Sequence, residues 1–461
     1  MRRALVFGAG RSGRAAEALL LRQGVDVLVL EGEDVFPCGG CGDRNVSAPA
    51  GGAAEVGERS SASETAEGRA FLSPQTVEFD FAVVSPGIPL SHPWIVEAKR
   101  RGIPLKSELQ LGCEALRRQG WKLLAVTGSK GKSSVVKVVA DAINLSGRQA
   151  VACGNYGLPV CEVALGCGDR DVAAPAGGAA EVGERSSASE TAEGRAFLSP
   201  QTFWAVVEVS SFMMETTTLA PDTFEAAAIL NLQEDHLDRH GSVEVYHGLK
   251  RKLLTMTRRT VVLRPQDAPS LAPLLKGSYF DNEILRENGL CAIGLMRAAG
   301  LDDGRIAQAF RDFVPLPHRM NLIAEIDGVR YVDDSKATSL AALVAGVKMA
   351  SSSCRPFVRL IAGGLPKGDD PKIALATLTE RVKKVYLIGQ SAEAFFAAWK
   401  GAVDCEICGT MDKAVEKALR EAECGETVLL SPGTASFDQF RSYGERGDVF
   451  ADLVKRESKS K

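Results

Sequence analysis

The stretch KLLAVTGSKGKSSVVKVVADAINLSG, Lys122 to Gly147, reads as an apolar strand, a glycine-rich loop and a helix. Its loop is Thr127-Gly128-Ser129-Lys130-Gly131-Lys132-Ser133-Ser134. Backbone N–H groups of such a loop can surround the β- and γ-phosphates of a nucleotide, Lys132 supplies positive charge, and the Ser133 hydroxyl can ligate Mg²⁺. Val126 stands where a full Walker A motif has its first glycine. The tighter Thr-Gly-x-x-Gly-Lys-Ser form still predicts ATP binding by Gly128, Ser129, Lys130, Gly131, Lys132, Ser133 and Ser134. A strand that feeds a phosphate loop and then a helix is a unit of α/β architecture, so this stretch decides the fold class.

Working outward, the same pattern recurs. RRALVFGAG, RSGRAAEALLLRQG and VDVLVLEGE open the chain as strand, glycine turn, helix and strand, the start of a doubly wound sheet. The turn Gly8-Ala9-Gly10-Arg11-Ser12-Gly13, with Glu31 closing the second strand, has the form of a dinucleotide fingerprint. It marks a phosphate-bearing ligand more securely than it marks NAD; the bland alternative is glycines that serve only close strand–helix packing. FDFAVVSPG, FWAVVEVSS and AAAILNL follow as buried strands. The chain restarts near Pro317–His318, with VRYVDDSKATS, RPFVRLIAGG, KKVYLIG and ETVLLSPG alternating with helical stretches. Three α/β domains are expected: a Rossmann-like domain over 1–106, a P-loop ATPase-like domain over 107–317 and a Rossmann-like domain over 318–461.

A 29-residue segment, APAGGAAEVGERSSASETAEGRAFLSPQT, occurs twice, at Ala48–Thr76 and Ala174–Thr202. Extended to Gly40–Thr76 and Gly166–Thr202, the copies match at 35 of 37 positions. They are rich in Ala, Gly, Ser and Glu and lack a sustained 2.0 or 3.6 period. Units this far apart cannot stack as a solenoid. Surface loops tolerate long insertions because closure cost grows slowly with length. Both copies read as inserted, largely disordered surface loops, with a shared docking element as the alternative.

At 461 residues, 45% hydrophobic and 25% charged, the chain has the composition of a globular protein of two to four domains. A net charge of −3 favours neither nucleic acid nor an acidic membrane surface. No run of ~18 apolar residues could span a bilayer, and the N-terminus enters a strand directly. A cytoplasmic monomer acting on small molecules is expected. Of eleven cysteines, two CxxC pairs stand out, Cys38–Cys41 and Cys405–Cys408, but no nearby pair completes a zinc site. Reduced thiols are the expectation.

Two further stretches carry charge. AVVEVSSFMMET puts Glu208 at the end of a buried strand, where active-site residues of open α/β sheets gather. NLQEDHLDRHG clusters Glu234, Asp235, His236, Asp238, Arg239 and His240 just after another strand, a density that suggests an ion site. Lys250, on a helix, would by itself be a solvated lysine.

In combination, VVSPGIP, VTGSKGKSS, CGNYGLP, VEVSSF, EDHLDRH, HRM, DDSKATS and SPGTASFDQFRSYGERGDVF resemble the Mur ligase family over nearly the whole chain outside the two inserts. The last stretch resembles the family's D-glutamate-adding branch; the central motifs are also similar to folylpolyglutamate synthase. The resemblance implies ATP-dependent amide-bond formation between D-glutamate and UDP-N-acetylmuramoyl-L-alanine through an acyl phosphate. It implies that Arg11, Ser12, Glu31, Ser85, Pro86, Gly87 and Asn155 hold the UDP substrate. Asn288, Arg319, Asp334 and Lys336 would serve the nucleotide, with Asn288 at the adenine, Asp334 at the ribose and Arg319 and Lys336 at the phosphates. Lys132, Glu208, His236, Lys250 and Lys336 would be the catalytic set. Ser133, Glu208, His236 and a carbamoylated Lys250 would serve two Mg²⁺ ions. Thr338, Lys367, Ser436 and Tyr443 would take D-glutamate. The chain departs from the family pattern at Met213, Gln233, Leu285 and Pro366. The rivals are another amide ligase such as folylpolyglutamate synthase, an NAD-dependent oxidoreductase on the Gly8–Gly13 turn, and a non-catalytic UDP-sugar-binding protein.

Overall fold

The computed structural model describes residues 2–32, 36, 78–166, 202–262, 265–351 and 357–458. Strands β1 (Arg3–Phe7), β2 (Asp26–Leu30), β3 (Phe81–Val84) and β4 (Leu105–Ser107) form a parallel sheet of order β2-β1-β3-β4. A second sheet takes β5 (Lys122–Thr127), β6 (Gln149–Gly154), β7 (Phe203–Glu208), β8 (Ala226–Ile229) and β9 (Thr260–Val261) in the order β6-β7-β5-β8-β9. The third contains β10 (Asn321–Ile326), β11 (Val329–Asp333), β12 (Val358–Gly363), β13 (Val382–Ile388), β14 (Asp404–Gly409) and β15 (Thr427–Leu430), ordered β10-β11-β15-β12-β13-β14. Only its β10–β11 pair is antiparallel among the pairings described for that sheet. The chain is therefore an α/β protein with three sheets among the described residues, two of whose edges were not evident beforehand: the short β9 and the antiparallel β10.

Parallel strands are buried on both faces and so need continuous apolar runs. Ala4–Phe7 of β1 are buried accordingly, and so is every residue of β12, where the one charged residue, Arg359, pairs with Glu426 at 2.6 Å. Compactness divides the chain into two units, one of residues 1–123, 151–224 and 234–258, the other of 124–150, 225–233 and 259–461. In the first, Leu5, Phe7, Leu30, Ala82 and Val84 pack with Trp94 and Ile95 of the helix Pro93–Arg100. In the second, alternation along β12 sends Leu360 and Ala362 into a core with Leu343, Phe395 and Trp399, and Ile361 into one with Tyr386, Val415 and Phe450. Residue 106, read as the first domain boundary, lies within β4, whose Ser107 pairs with Val84.

The opening glycine turn is tightly packed. Gly8 has φ +91°, and a Cβ on Gly13 would lie 1.8 Å from the Gly8 carbonyl oxygen, so the helix Arg11–Arg22 begins directly against the turn. The duplicated segments fall between β2 and β3 and between the helix Val160–Gly166 and β7. Apart from Thr202, Ala48–Thr76 and Ala174–Thr202 lie outside the described residues, as do Cys38 and Cys41. The seven described cysteines, Cys405 and Cys408 among them, form no disulfide. No helix among the described residues is long and apolar enough to cross a membrane.

Candidate active site

In the second unit, β5 runs into the phosphate loop and the helix Lys132–Leu145. Gly128 (φ +152°) and Gly131 (φ +82°) adopt backbone conformations that side chains resist, and a Cβ on Gly131 would lie 2.1 Å from Asn288 Nδ2. Asn231, just past β8, holds the loop from outside. Its Oδ1 accepts from the Ser129 and Lys130 N–H groups (3.1 and 2.8 Å), and its Nδ2 donates to the Lys130 carbonyl (2.9 Å) and Asn288 Oδ1 (3.2 Å). The Ser129 hydroxyl bridges both backbone groups of Gln233. Lys132 Nζ donates to the Gly128 and Ser129 carbonyls (2.8 and 3.1 Å), which holds its charge at the loop. An anion on the N-terminal N–H groups of this helix would meet that ammonium. Ser134 is buried and Ser133 half-buried. Asn288 is buried behind the loop.

Tyr279 links this loop to the segment after β11. Burial pushes its phenol up to about 12, with the Asp334 carboxyl, the Arg319 guanidinium and a hydrogen bond to Ser134 acting on it. Asp334 is buried, accepts from Ser431 Oγ at 3.0 Å, and is pushed up to about 7 by that burial. His318, in the left-handed region at φ +60°, pairs its Nδ1 with Asp333 Oδ2 at 2.7 Å, and its carbonyl accepts from Lys336 N. Burial also raises the Asp333 carboxyl.

Arg446 ties the segment after β11 to the loop after β15. It is fully buried; its Nε and Nη2 donate to Ser335 Oγ and the Ser335 carbonyl (both 2.9 Å). Nη1 and Nη2 also reach the carbonyls of Ala435 and Thr434. Ser335 Oγ in turn donates to the Tyr443 carbonyl at 2.7 Å. Ser436 and Thr338 thus flank a single junction, where Lys336 Nζ sits 3.6 Å from the centroid of the Tyr443 ring. Lys367 is exposed, two residues past Leu365, which pairs with Ala435.

In the first unit, Glu208 ends β7 and is 2% exposed. Its Oε1 accepts from Asn155 Nδ2 (2.9 Å), and its backbone carbonyl accepts from Asn155 N. Glu208 Oε2 is buried with no hydrogen-bond partner. Such an orphaned carboxylate oxygen suits a hard divalent cation. Lys250 is also 2% exposed, with Nζ 4.4 Å from the centroid of the Tyr246 ring. His236, at φ +52°, is half exposed and lies against Phe212 and Tyr246. The cluster anticipated as one ion site therefore separates. Glu234, Asp235 and His236 face outward, whereas His240 turns inward to Ser211 and Glu215. Burial holds the His240 imidazole below its usual value. Among the described residues no three His, Cys, Asp or Glu side chains converge on one point.

Around the first glycine turn, Ser85 Oγ donates to the Gly8 carbonyl and Arg239 donates to the Pro86 and Ile88 carbonyls. Arg11 is paired with Glu162, Ser12 is half-buried, and Gly87 and Glu31 border solvent. Asn231, Tyr279, His318, Asp333, Arg446, Glu215 and Tyr246 are the site residues not anticipated. The first residues of HRM and DDSKATS carried a signal for His318 and Asp333, and SPGTASFDQFRSYGERGDVF contains Arg446; Asn231, Tyr279, Glu215 and Tyr246 are ordinary letters.

A family model described as the Mur ligase middle domain matches residues 126–278, and one described as the Mur ligase glutamate ligase domain matches 318–433. The chain is 32% identical to UDP-N-acetylmuramoylalanine–D-glutamate ligase of Acidobacterium capsulatum, over 98% of this chain and 96% of that protein. It is 31% identical to the protein of the same name from Gloeobacter violaceus, over 97% and 98%. Among solved structures, the UDP-N-acetylmuramate–alanine ligase of Thermotoga maritima superposes with a TM-score of 0.52 at 14% identity, covering 100% of both chains. The MurF ligase of Thermotoga maritima, solved in complex with ADP, gives 0.51 at 14% identity, covering 83% of this chain and 96% of that one.

Proposed function

Because the chain belongs to the Mur ligase family, ATP-dependent enzymes that form amide bonds, we propose that it adds D-glutamate to UDP-N-acetylmuramoyl-L-alanine in peptidoglycan synthesis. The observation that carries this is similarity of about 30% along essentially the full length to relatives that all bear the D-glutamate ligase name.

An ionised carboxylate resists an amine because it is anionic and lacks a leaving group. Transfer of the γ-phosphoryl of ATP to the acceptor's carboxylate removes both obstacles. The amine of D-glutamate then attacks the acyl phosphate, and the tetrahedral intermediate collapses to amide and phosphate, leaving ADP. Three anions must meet, so charge neutralisation and alignment are the main tasks. Lys132 and the loop N–H groups would bind the ATP phosphates, and Arg319 and Lys336 would add positive charge. Asn288 and Asp334 would serve the adenosine end.

Mg²⁺, which would neutralise phosphate oxygens when bound, fits Glu208 and its orphaned oxygen; Ser133, His236 and Lys250 would complete the ligand sets of two ions. A plain ammonium at Lys250 would oppose the cation, whereas a carbamate there offers anionic oxygens. Arg11, Ser12, Glu31, Ser85, Pro86, Gly87 and Asn155 would hold the UDP substrate, and Thr338, Lys367, Ser436 and Tyr443 D-glutamate. The domains proposed are 1–106 for the UDP substrate, 107–317 for ATP and 318–461 for the amino acid, in a monomer acting in the cytoplasm.

Orthophosphate release in the presence of Mg²⁺ and ATP tests this. It is expected only when both D-glutamate and the UDP-sugar are added. Release independent of either substrate, or none with all present, overturns the assignment.

A further inference from the structure

His240 sits at the centre of a buried chain of polar groups that the mechanism above does not use. Its Nε2 lies 3.0 Å from Ser211 Oγ, and its Nδ1 3.4 Å from Glu215 Oε1. Arg239 fixes the same carboxylate through two donors, Nε to Oε1 at 3.1 Å and Nη2 to Oε2 at 2.7 Å. The side chains of His240 and Glu215 are 1% and 7% exposed. A carboxylate paired with Arg239 only accepts, so the relay requires the imidazole proton on Nδ1, facing Glu215, which leaves Nε2 as the acceptor for the Ser211 hydroxyl.

Serine, histidine and carboxylate in this order have the connectivity of a nucleophilic triad. Ser211 is buried, however, and does not line the cleft of about 330 Å³ that His240, Glu215 and Arg239 border together with Pro89, Leu90 and Ser91. No external ester reaches its Oγ, so the chain of bonds holds rather than attacks.

What it holds follows from its two ends. Ser211 stands three residues after Glu208, at the start of the helix Ser211–Met214. His240 closes the helix Leu237–His240, and its backbone N–H donates to the His236 carbonyl at 3.0 Å. That helix has four residues and opens on a non-glycine residue in the left-handed region, so it needs an external anchor to persist. We propose that Ser211, His240 and Glu215 form a positioning relay that fixes His236 relative to Glu208. It rests on the ligase assignment for its consequence in catalysis, though not for its existence. Phe212, against both His236 and His240, and Tyr246, against both and against Lys250, fill the space around it.

The full chain, with ¹⁵N-labelled histidine, gives a readout that needs no turnover. His240 is expected in the Nδ1–H form with an unprotonated, hydrogen-bonded Nε2; a proton on Nε2 overturns the relay whether or not the protein is a ligase. In steady-state phosphate release, Ser211→Ala and His240→Phe are expected to lower kcat and raise the Mg²⁺ concentration for half-maximal rate by ~10-fold or more, the usual scale for losing a supporting partner of a metal-site residue. KM for ATP should stay within about 2-fold, and Ser211→Thr, which keeps the hydroxyl, should recover most of the loss. Variants that lose only thermal stability, with unchanged Mg²⁺ dependence, overturn the proposal. If His240→Phe fails to fold, Ser211→Ala and the tautomer decide. If the wild type releases no phosphate, the ligase assignment falls and the tautomer alone judges the relay.

Discussion

Asn231→Ala is the most direct test of how the phosphate loop is held. The substitution removes four hydrogen bonds, two accepted from Ser129 and Lys130 N–H and two donated to the Lys130 carbonyl and Asn288 Oδ1. Ser129 and Lys130 border solvent, so water replaces part of the loss, and a net ~0.5–1 kcal/mol per bond gives about 2–4 kcal/mol. Asn231 lies beyond the end of β8 and the fold should survive, so the cost falls on ordering the loop. If the transition state needs the ordered loop, kcat/KM for ATP falls by roughly 30- to 1,000-fold, at about 1.4 kcal/mol per decade. Orthophosphate release at varied ATP measures this, with thermal melts as a check on folding. Asn231→Asp keeps the acceptor but adds negative charge beside bound phosphate, and should do no better than alanine. A folded Asn231→Ala variant within about 3-fold of wild type in kcat/KM would refute the reasoning, since the estimate allows no loss that small.

Lys132→Ala should abolish turnover while the thermal midpoint stays near wild type, because a phosphate-facing charge commonly supplies several kcal/mol to the transition state; near-normal phosphate release would contradict its role. Lys250→Ala should be poorly active and partly restored by small carboxylic acids that supply the missing anionic oxygens, and absence of rescue counts against the carbamate alone. Arg446→Met leaves the carbonyls of Ser335, Thr434 and Ala435 without their buried donor, which should cost about 3–5 kcal/mol in denaturant unfolding; an unchanged midpoint would mean that the junction closes without it. Burial pushes the Glu108 carboxyl up to about 7, so the folded chain keeps its proton while the unfolded chain, near 4.5, has lost it. That contribution to stability is complete below about 4.5 and disappears as pH rises through about 7. Asp334 acts in the same direction. Melts from pH 5 to pH 8 should therefore fall less steeply for Glu108→Gln than for wild type, and parallel curves would show that Glu108 does not drive the slope.

The phosphate loop was legible because its chemistry demands residue types at fixed spacing. Gly128 and Gly131 occupy conformations that side chains resist, and Lys132 must begin the following helix. The buried parallel strands were legible for the reason that makes them buried: β1 and β7 carry four- and five-residue apolar runs, and β12 and β15 carry shorter ones beside the buried Arg359 and Thr427. Strand β10 lacked that signal. At the edge of its sheet none of its six residues is fully buried, and in NLIAEI the three apolar residues Leu322–Ala324 lie between Asn321 and Glu325 with no strand-period alternation to separate them from a loop. The EDHLDRH cluster misled for a related reason. Six polar residues look like one site until the left-handed turn at His236 directs the first three outward and His240 inward, and nothing in the letters announces that turn.

A group that touches phosphate or a cation is constrained by what it touches, whereas a group that holds such a residue in place needs only to stand opposite it in space. Asn231 lies 102 positions from Ser129, Ser211 lies 29 from His240, and Arg446 lies 111 from Ser335. No local pattern connects these pairs, and each residue taken alone is a plausible surface Asn, Ser, His or Arg. The two classes should also respond differently to change. Loss of Lys132 removes the charge held at the Gly128 and Ser129 carbonyls itself, so the effect is close to all or none. Loss of Asn231 or Ser211 leaves the reacting groups present but less well aligned, so the effect should be graded and recoverable by a side chain that restores the bond.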